Sequence, residues 1–142
     1  MIRGPSGAGK SDLALRCLAV APSPLFPQPF QLVADDQTLL TRLASRIMVS
    51  APPSIHGRFE IRGLGIVTLP VLEEAELALI VELTQSADMP RFPDPWPMAA
   101  VLGLQAPVLR IDPWQSSAAG KVLAALALFA LPPISGDDHH AT

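Results

Sequence analysis

Residues 4–11 read Gly4-Pro5-Ser6-Gly7-Ala8-Gly9-Lys10-Ser11, a complete G-x-x-x-x-G-K-[ST] loop, and no other stretch restricts the fold so tightly. The pattern wraps successive backbone N–H groups around di- or triphosphate oxygens, carries a lysine to the β/γ end and offers a hydroxyl to Mg²⁺. Gly4, Gly7 and Gly9 allow the close approach that a Cβ would block. From Ser11 onward Leu13, Cys17 and Val20 recur at helical spacing, so the loop opens a helix whose N-terminal dipole favours anions. These eight residues therefore predict a nucleotide-binding site. They leave the reaction open, because one such loop serves kinases, GTPases and ATPases alike.

Length and composition narrow the classes. A chain of 142 residues with 49% hydrophobic content makes one domain with a real core. A formal net charge of −3 supplies no basic footprint for nucleic acid. The single cysteine, Cys17, cannot form an internal disulfide, so a reducing cytoplasm is the expected setting, with Cys17 a buried inert thiol. No apolar run reaches the roughly 18–20 residues that span a membrane. Val122 to Leu131 comes nearest and reads as a core helix, capped by Ser116 or Ser117 and stopped by Pro132-Pro133.

Sixteen prolines make the connections stiff, beginning with an exposed loop from Ala21 to Pro29. Gln31 to Asp36 reads as a short buried strand ending in two carboxylates, which on a strand would face opposite ways. Leu39 to Leu43 and Arg46 to Val49 read as a hairpin. Leu77 to Leu83 is a continuous apolar run suited to a central strand, and Ala106 to Ile111 offers another. Extended loops are expected at Pro52 to Leu69 and Gln85 to Pro97. The expected fold is α/β, with α+β as the alternative: a mixed sheet with flanking helices over residues 1–134 and a polar, flexible tail over 135–142. In that tail Asp137-Asp138-His139-His140 reads as a solvated terminus.

Two further elements give the loop a context. Leu32-Val33-Ala34-Asp35-Asp36 follows it, then Glu60-Ile61-Arg62-Gly63-Leu64-Gly65-Ile66. In that order the three motifs resemble the catalytic domain of HPr kinase/phosphorylase, the serine kinase of the bacterial phosphotransferase system, in its short proteobacterial form. The resemblance implies an ATP- and Mg²⁺-dependent kinase acting on the phosphocarrier HPr or a paralogue, with phosphorolysis as the reverse reaction, and a homo-oligomer, hexameric in full-length relatives. It makes residues 4–11 the nucleotide loop, with Lys10 catalytic and Ser11 a metal ligand. By the same resemblance Asp36 is the proton acceptor, Glu60 a second metal ligand and Arg91 a catalytic cation.

The chain departs from the pattern in two places. Ala106 to Asp112 replaces the family's Pro-Val-Arg-Pro-Gly-Arg segment, which puts phosphorolysis in question. Relatives also carry a strand and a histidine upstream of the loop, so that a sheet strand and one catalytic histidine are expected to be missing. Two other functional classes fit the residues: a small-metabolite kinase, which would need an arginine-bearing lid not found here, and a nucleotide-sensing regulator without turnover. His56 reads as a hydrogen-bonded loop residue. Trp96 and Trp114, each beside a proline, read as packing loops onto the body.

Overall fold

The computed structural model describes residues 1–130, so the 135–142 tail and its Asp137–His140 cluster lie outside the described residues. Nine strands and two helices run in the order β1 (Ile2–Arg3), α1 (Lys10–Leu18), β2 (Leu39–Leu43), β3 (Arg46–Ser50), β4 (Arg58–Ile61), β5 (Gly65–Thr68), β6 (Glu74–Glu76), β7 (Ile80–Leu83), β8 (Met98–Val101), β9 (Leu104–Ile111) and α2 (Ala118–Phe129). The main sheet has the order β1-β7-β9-β8, with β1, β7 and β9 parallel and β8 antiparallel to β9. A second sheet, β2-β3-β6, is antiparallel, and β4 and β5 form a separate hairpin. This is the mixed α/β arrangement expected.

The core divides along the faces of β7. Val81 joins Leu13 and Cys17 of α1, Ile111 of β9 and Ala118, Val122 and Ala125 of α2, while Ile80 on the opposite face meets Ala106 and Val108. Burial on both faces is why residues 77–83 read as an uninterrupted apolar run. Only Ile80–Leu83 is strand, however. α2 starts after Ser117, which occupies the N-cap position without a side-chain hydrogen bond.

Three local expectations need correction. The strand leading into the loop is present: Ile2 and Arg3 pair in parallel with Val81 and Glu82. Two residues are too few to show a period of two, and the pairing depends on a partner about eighty residues away. The 31–36 segment is no strand beyond a single bridge from Leu32 to Val71. The N–H of Gln37 turns back to the carbonyl of Asp35, and Asp36 has φ 65°, which ends extended backbone. Within the supposed loop Pro52 to Leu69 lies the β4–β5 hairpin, whose turn uses positive φ at Gly63 and Gly65. The expected loop from Gln85 to Pro97 holds, but β8 follows it and pairs with β9.

Candidate functional site

The loop leaves the C-terminal end of β1 and enters α1, the position at which parallel α/β sheets hold ligands. Gly7 and Gly9 take φ of 78° and 99°, and a turn closes from the Ala8 N–H to the Pro5 carbonyl at 3.1 Å. A Cβ on Gly9 would stand 3.2 Å from the Trp114 ring, so this glycine is needed both for its φ and for the indole packed behind it. The neighbouring Arg16 reinforces that backing. It pairs with Asp12 at 3.0 Å and donates to the carbonyls of Pro113 and Gln115. Trp114 thus packs onto the loop, as expected of a tryptophan beside proline.

Lys10 donates to the carbonyls of Gly4 at 2.7 Å and Pro5 at 3.0 Å. Its ammonium is held across the mouth of the loop rather than extended into solvent. Ser11 Oγ donates to Asp35 Oδ1 at 3.1 Å, and Asp35 Oδ2 accepts from the Glu60 backbone N–H at 3.0 Å. One carboxylate therefore ties three separate sequence motifs together. Asp35 thus bonds both the phosphate loop and a backbone N–H of β4, and a bend rather than a strand sets the two aspartate side chains apart. Asp36 has no side-chain hydrogen bond among the described residues and lines the same cavity as Lys10, Ser11 and Asp35.

That cavity measures about 590 Å³ and runs from the loop between α1, the 30–36 segment and the second sheet, with Phe30 and Leu126 on its apolar wall. The Ser11 hydroxyl and the carboxylates of Asp35 and Asp36 line this cavity with oxygen, the donor type that hard divalent cations prefer, whereas Glu60 reaches Asp35 through its backbone N–H and its carboxylate is not on the lining. Among the described residues no three His, Cys, Asp or Glu side chains are gathered to hold a metal ion. Glu60 stands exposed on β4 with no ion pair among the described residues. Arg91 is not brought to this cavity. It lies over the Phe92 ring and lines a separate groove against Arg110 and Lys121, because the 85–97 loop runs beside the C-terminal half of β9, beyond its pairing with β8.

Two further titratable side chains are shifted, Asp112 away from the cavity and Cys17 on its wall. The hydroxyl of Ser86 donates to Asp112 Oδ2 at 2.6 Å and the Trp114 N–H donates to Oδ1 at 3.0 Å, and these bonds hold the Asp112 carboxyl below its ordinary range. Burial pushes the Cys17 thiol up, as an inert core cysteine requires. His56 bonds Glu73 at 2.9 Å, the loop role expected of it. No described helix is long and apolar enough to cross a membrane. The Asp35 clamp was within reach of sequence reading only through the order of the three motifs. The backing role of Arg16 had no local signal.

No protein-family model matches the sequence. Curated relatives do. The chain is 33% identical over 92 residues to the HPr kinase/phosphorylase of Clostridium tetani, covering 60% of this chain and 28% of that protein. It is 26% identical over 123 residues to the HPr kinase/phosphorylase of Mycoplasma mycoides, covering 78% and 37%. The chain thus spans well under half the length of these relatives. Among solved structures, the HPr(Ser) kinase/phosphatase from Coxiella burnetii superposes with a TM-score of 0.71 at 23% identity, covering 88% of this chain and 83% of that one. The fold is shared.

Proposed function

Starting from an HPr kinase-like domain, we propose that this chain is an ATP- and Mg²⁺-dependent protein serine kinase of the cytoplasm that phosphorylates HPr or a paralogous phosphocarrier. The observation that carries the proposal is the Asp35 clamp, which joins the phosphate loop at Ser11 to the Glu60 hairpin. A bare phosphate loop would suit any nucleotide hydrolase. A loop tied to two further carboxylate-bearing segments has the parts that phosphoryl transfer needs: a cradle, a cation, oxygen donors for a metal and a carboxylate for the acceptor.

Each residue has a role in the proposal. The N–H groups of residues 4–11 hold the phosphates, and Lys10 leaves its two carbonyls to meet the β/γ oxygens. Ser11 and Glu60 would hold magnesium, which when bound neutralises charge on the transferred group. The acceptor serine oxygen bonds to the γ-phosphorus as the bond from phosphorus to the β-side bridging oxygen breaks, and ADP leaves. Asp36 takes the serine proton. A carboxylate is too weak a base to remove that proton beforehand, so it orients the hydroxyl and accepts late. Asp36 suits this because both oxygens of Asp35 are engaged and, among the described residues, no partner occupies its own.

A protein acceptor fits the surface beside the site. Leu64 and Ile66, at the tip of the β4–β5 hairpin that carries Glu60, are 71% and 59% exposed, apolar area that a small metabolite would not use. Incubating the chain with labelled ATP, magnesium and purified HPr tests the reading: the expected product is HPr phosphorylated on serine. ATP binding with no transfer to any phosphocarrier would instead identify a nucleotide sensor. Transfer to small molecules alone would identify a metabolite kinase.

A further inference from the structure

A groove of about 180 Å³ lies beside the C-terminal half of β9, beyond its pairing with β8, walled by the 85–97 loop and α2 and separate from the phosphate-loop cavity. Three of the chain's ten Lys and Arg residues, Arg91, Arg110 and Lys121, converge on it, and none of its lining residues is acidic. In a chain of net charge −3 that is a local reversal of sign. The three cations come from a loop, a strand and a helix, so no local repeat accounts for their meeting.

These cations are under-used. Among the described residues neither Arg91 nor Lys121 is in an ion pair, although Lys121 lies near enough to Asp112 for its charge to help lower that carboxyl. Arg91 lies over the Phe92 ring at 5.5 Å, and Lys121 donates to the neutral Gln115 side chain at 2.9 Å. Arg110 shares Glu82 with Arg3, lying 3.6 Å from one carboxylate oxygen while Arg3 holds the other at 2.6 Å. The groove is also lined by Trp96, whose indole N–H is buried without a hydrogen-bond partner among the described residues. Buried donors are nearly always paired, and an orphan one calls for an acceptor.

We propose that this groove is a second anion site, built for one phosphoryl-type oxyanion held by Arg91, Arg110 and Lys121 with the Trp96 indole as a further donor. Its volume falls below the roughly 300–1,000 Å³ of pockets that enclose drug-sized ligands, which suits a single small anion. Arginine forks and a lysine ammonium around a tetrahedral oxyanion form charge-assisted hydrogen bonds that neutral ligands cannot match. The anion is either free phosphate or the phosphate of a modified side chain, and the chemistry is the same for both. The site stands independently of the kinase reading, because its test involves no turnover.

The test is a titration of the isotope-labelled full chain with inorganic phosphate at constant ionic strength, read by NMR at the Trp96 indole N–H. Lys10→Ala serves as background so that the phosphate loop does not compete, and Trp114→Phe assigns the two indole signals. A saturable shift of the Trp96 signal is expected, with affinity falling about tenfold in either Arg91→Gln or Lys121→Gln, the loss of one charge-assisted bond. Both changes are at exposed side chains, so folding is not at issue. A phosphoserine peptide that moves the same signal at lower concentration than phosphate assigns the anion to a phosphoprotein. Phosphate acting alone assigns it to the free ion. No Trp96 shift, or an undiminished one in both variants, overturns the site.

Discussion

The two sides of the phosphate-loop cavity are held in different ways. The cradle side is backed by packing: α1 buries Leu13 and Cys17 against the main sheet and α2, Trp114 closes on Gly9, and β1 pairs with β7. The carboxylate side hangs on polar contacts. Asp35 and Asp36 lie in a bend outside any sheet, and the segment is fixed by the Leu32–Val71 bridge and by the two hydrogen bonds that Asp35 accepts from Ser11 and Glu60. Phe59 alone anchors the Glu60 hairpin deeply, with no exposed area of its own. A rigid cradle beside a carboxylate arm of few buried contacts is what a site needs if it must hold phosphate constantly and accept a bulky protein hydroxyl intermittently.

The comparison is broken most directly at the two aspartates. Asp36→Asn keeps volume and one acceptor but cannot take a proton, so transfer to HPr should fall by about 10² to 10⁴ while ATP still binds. Asp35→Asn weakens charge-assisted bonds to Ser11 and to the Glu60 N–H instead. It should cost about 1 kcal/mol of stability and reduce transfer less. Single-turnover phosphoserine counts and urea midpoints separate the two effects. If Asp35→Asn abolished transfer at unchanged stability while Asp36→Asn did nothing, the proton acceptor would be Asp35.

On the cradle side, Lys10→Ala should lower transfer by about 10² to 10³, the scale for deleting one preorganised electrostatic donor. The fold should be retained, since the lysine bonds only to the loop's own carbonyls. Calorimetry with ATP and magnesium checks it. Undiminished affinity would place the nucleotide elsewhere.

The contrast between the two sides also explains what could be read in advance. The cradle is eight contiguous residues whose types follow from local geometry, so Gly4 to Ser11 and the helix after them were legible. So were β2, β3 and β9, with alternation or apolar runs of their own. The carboxylate arm was misread as structure. Its bend depends on Asp36 at φ 65° and on partners at Ser11 and Glu60, which no window of ten residues contains. β1 failed for the same reason, being two residues templated by Val81 and Glu82. Arg91 sits where a loop traced along β9 takes it, and its neighbours Arg110 and Lys121 are remote in sequence.

A smaller effect sharpens the account of the cradle's rigidity. Gly9→Ala puts a Cβ at φ 99° and 3.2 Å from the Trp114 ring, and strain of this kind costs about 1–3 kcal/mol. Adding Trp114→Ala should recover part of that loss in urea unfolding. No recovery would mean that the backbone conformation alone demands glycine there, and that the indole is not what stiffens the loop.

The smallest expected effect concerns Asp112, which links the strand end behind the loop to Ser86 and Trp114. Its folded-state pKa is lowered, first by the Ser86 hydroxyl and next by the Trp114 N–H, so the folded protein favours the ionised carboxylate more than the unfolded chain does. A group of this sign contributes its full stabilisation above the ordinary carboxylate value of about 3.9, and loses it as pH falls through the lowered folded value. Asp112→Asn keeps one acceptor but does not titrate. Melting temperatures of parent and variant should therefore differ by a small constant amount from neutral pH down to the ordinary carboxylate range, then converge below it. The difference stays small because the side chain is open to solvent, which screens its bonds. Curves that stay parallel into acid would show that Asp112 does not stiffen the segment carrying Trp114. The cradle would then owe its rigidity to Arg16 and the helix packing alone.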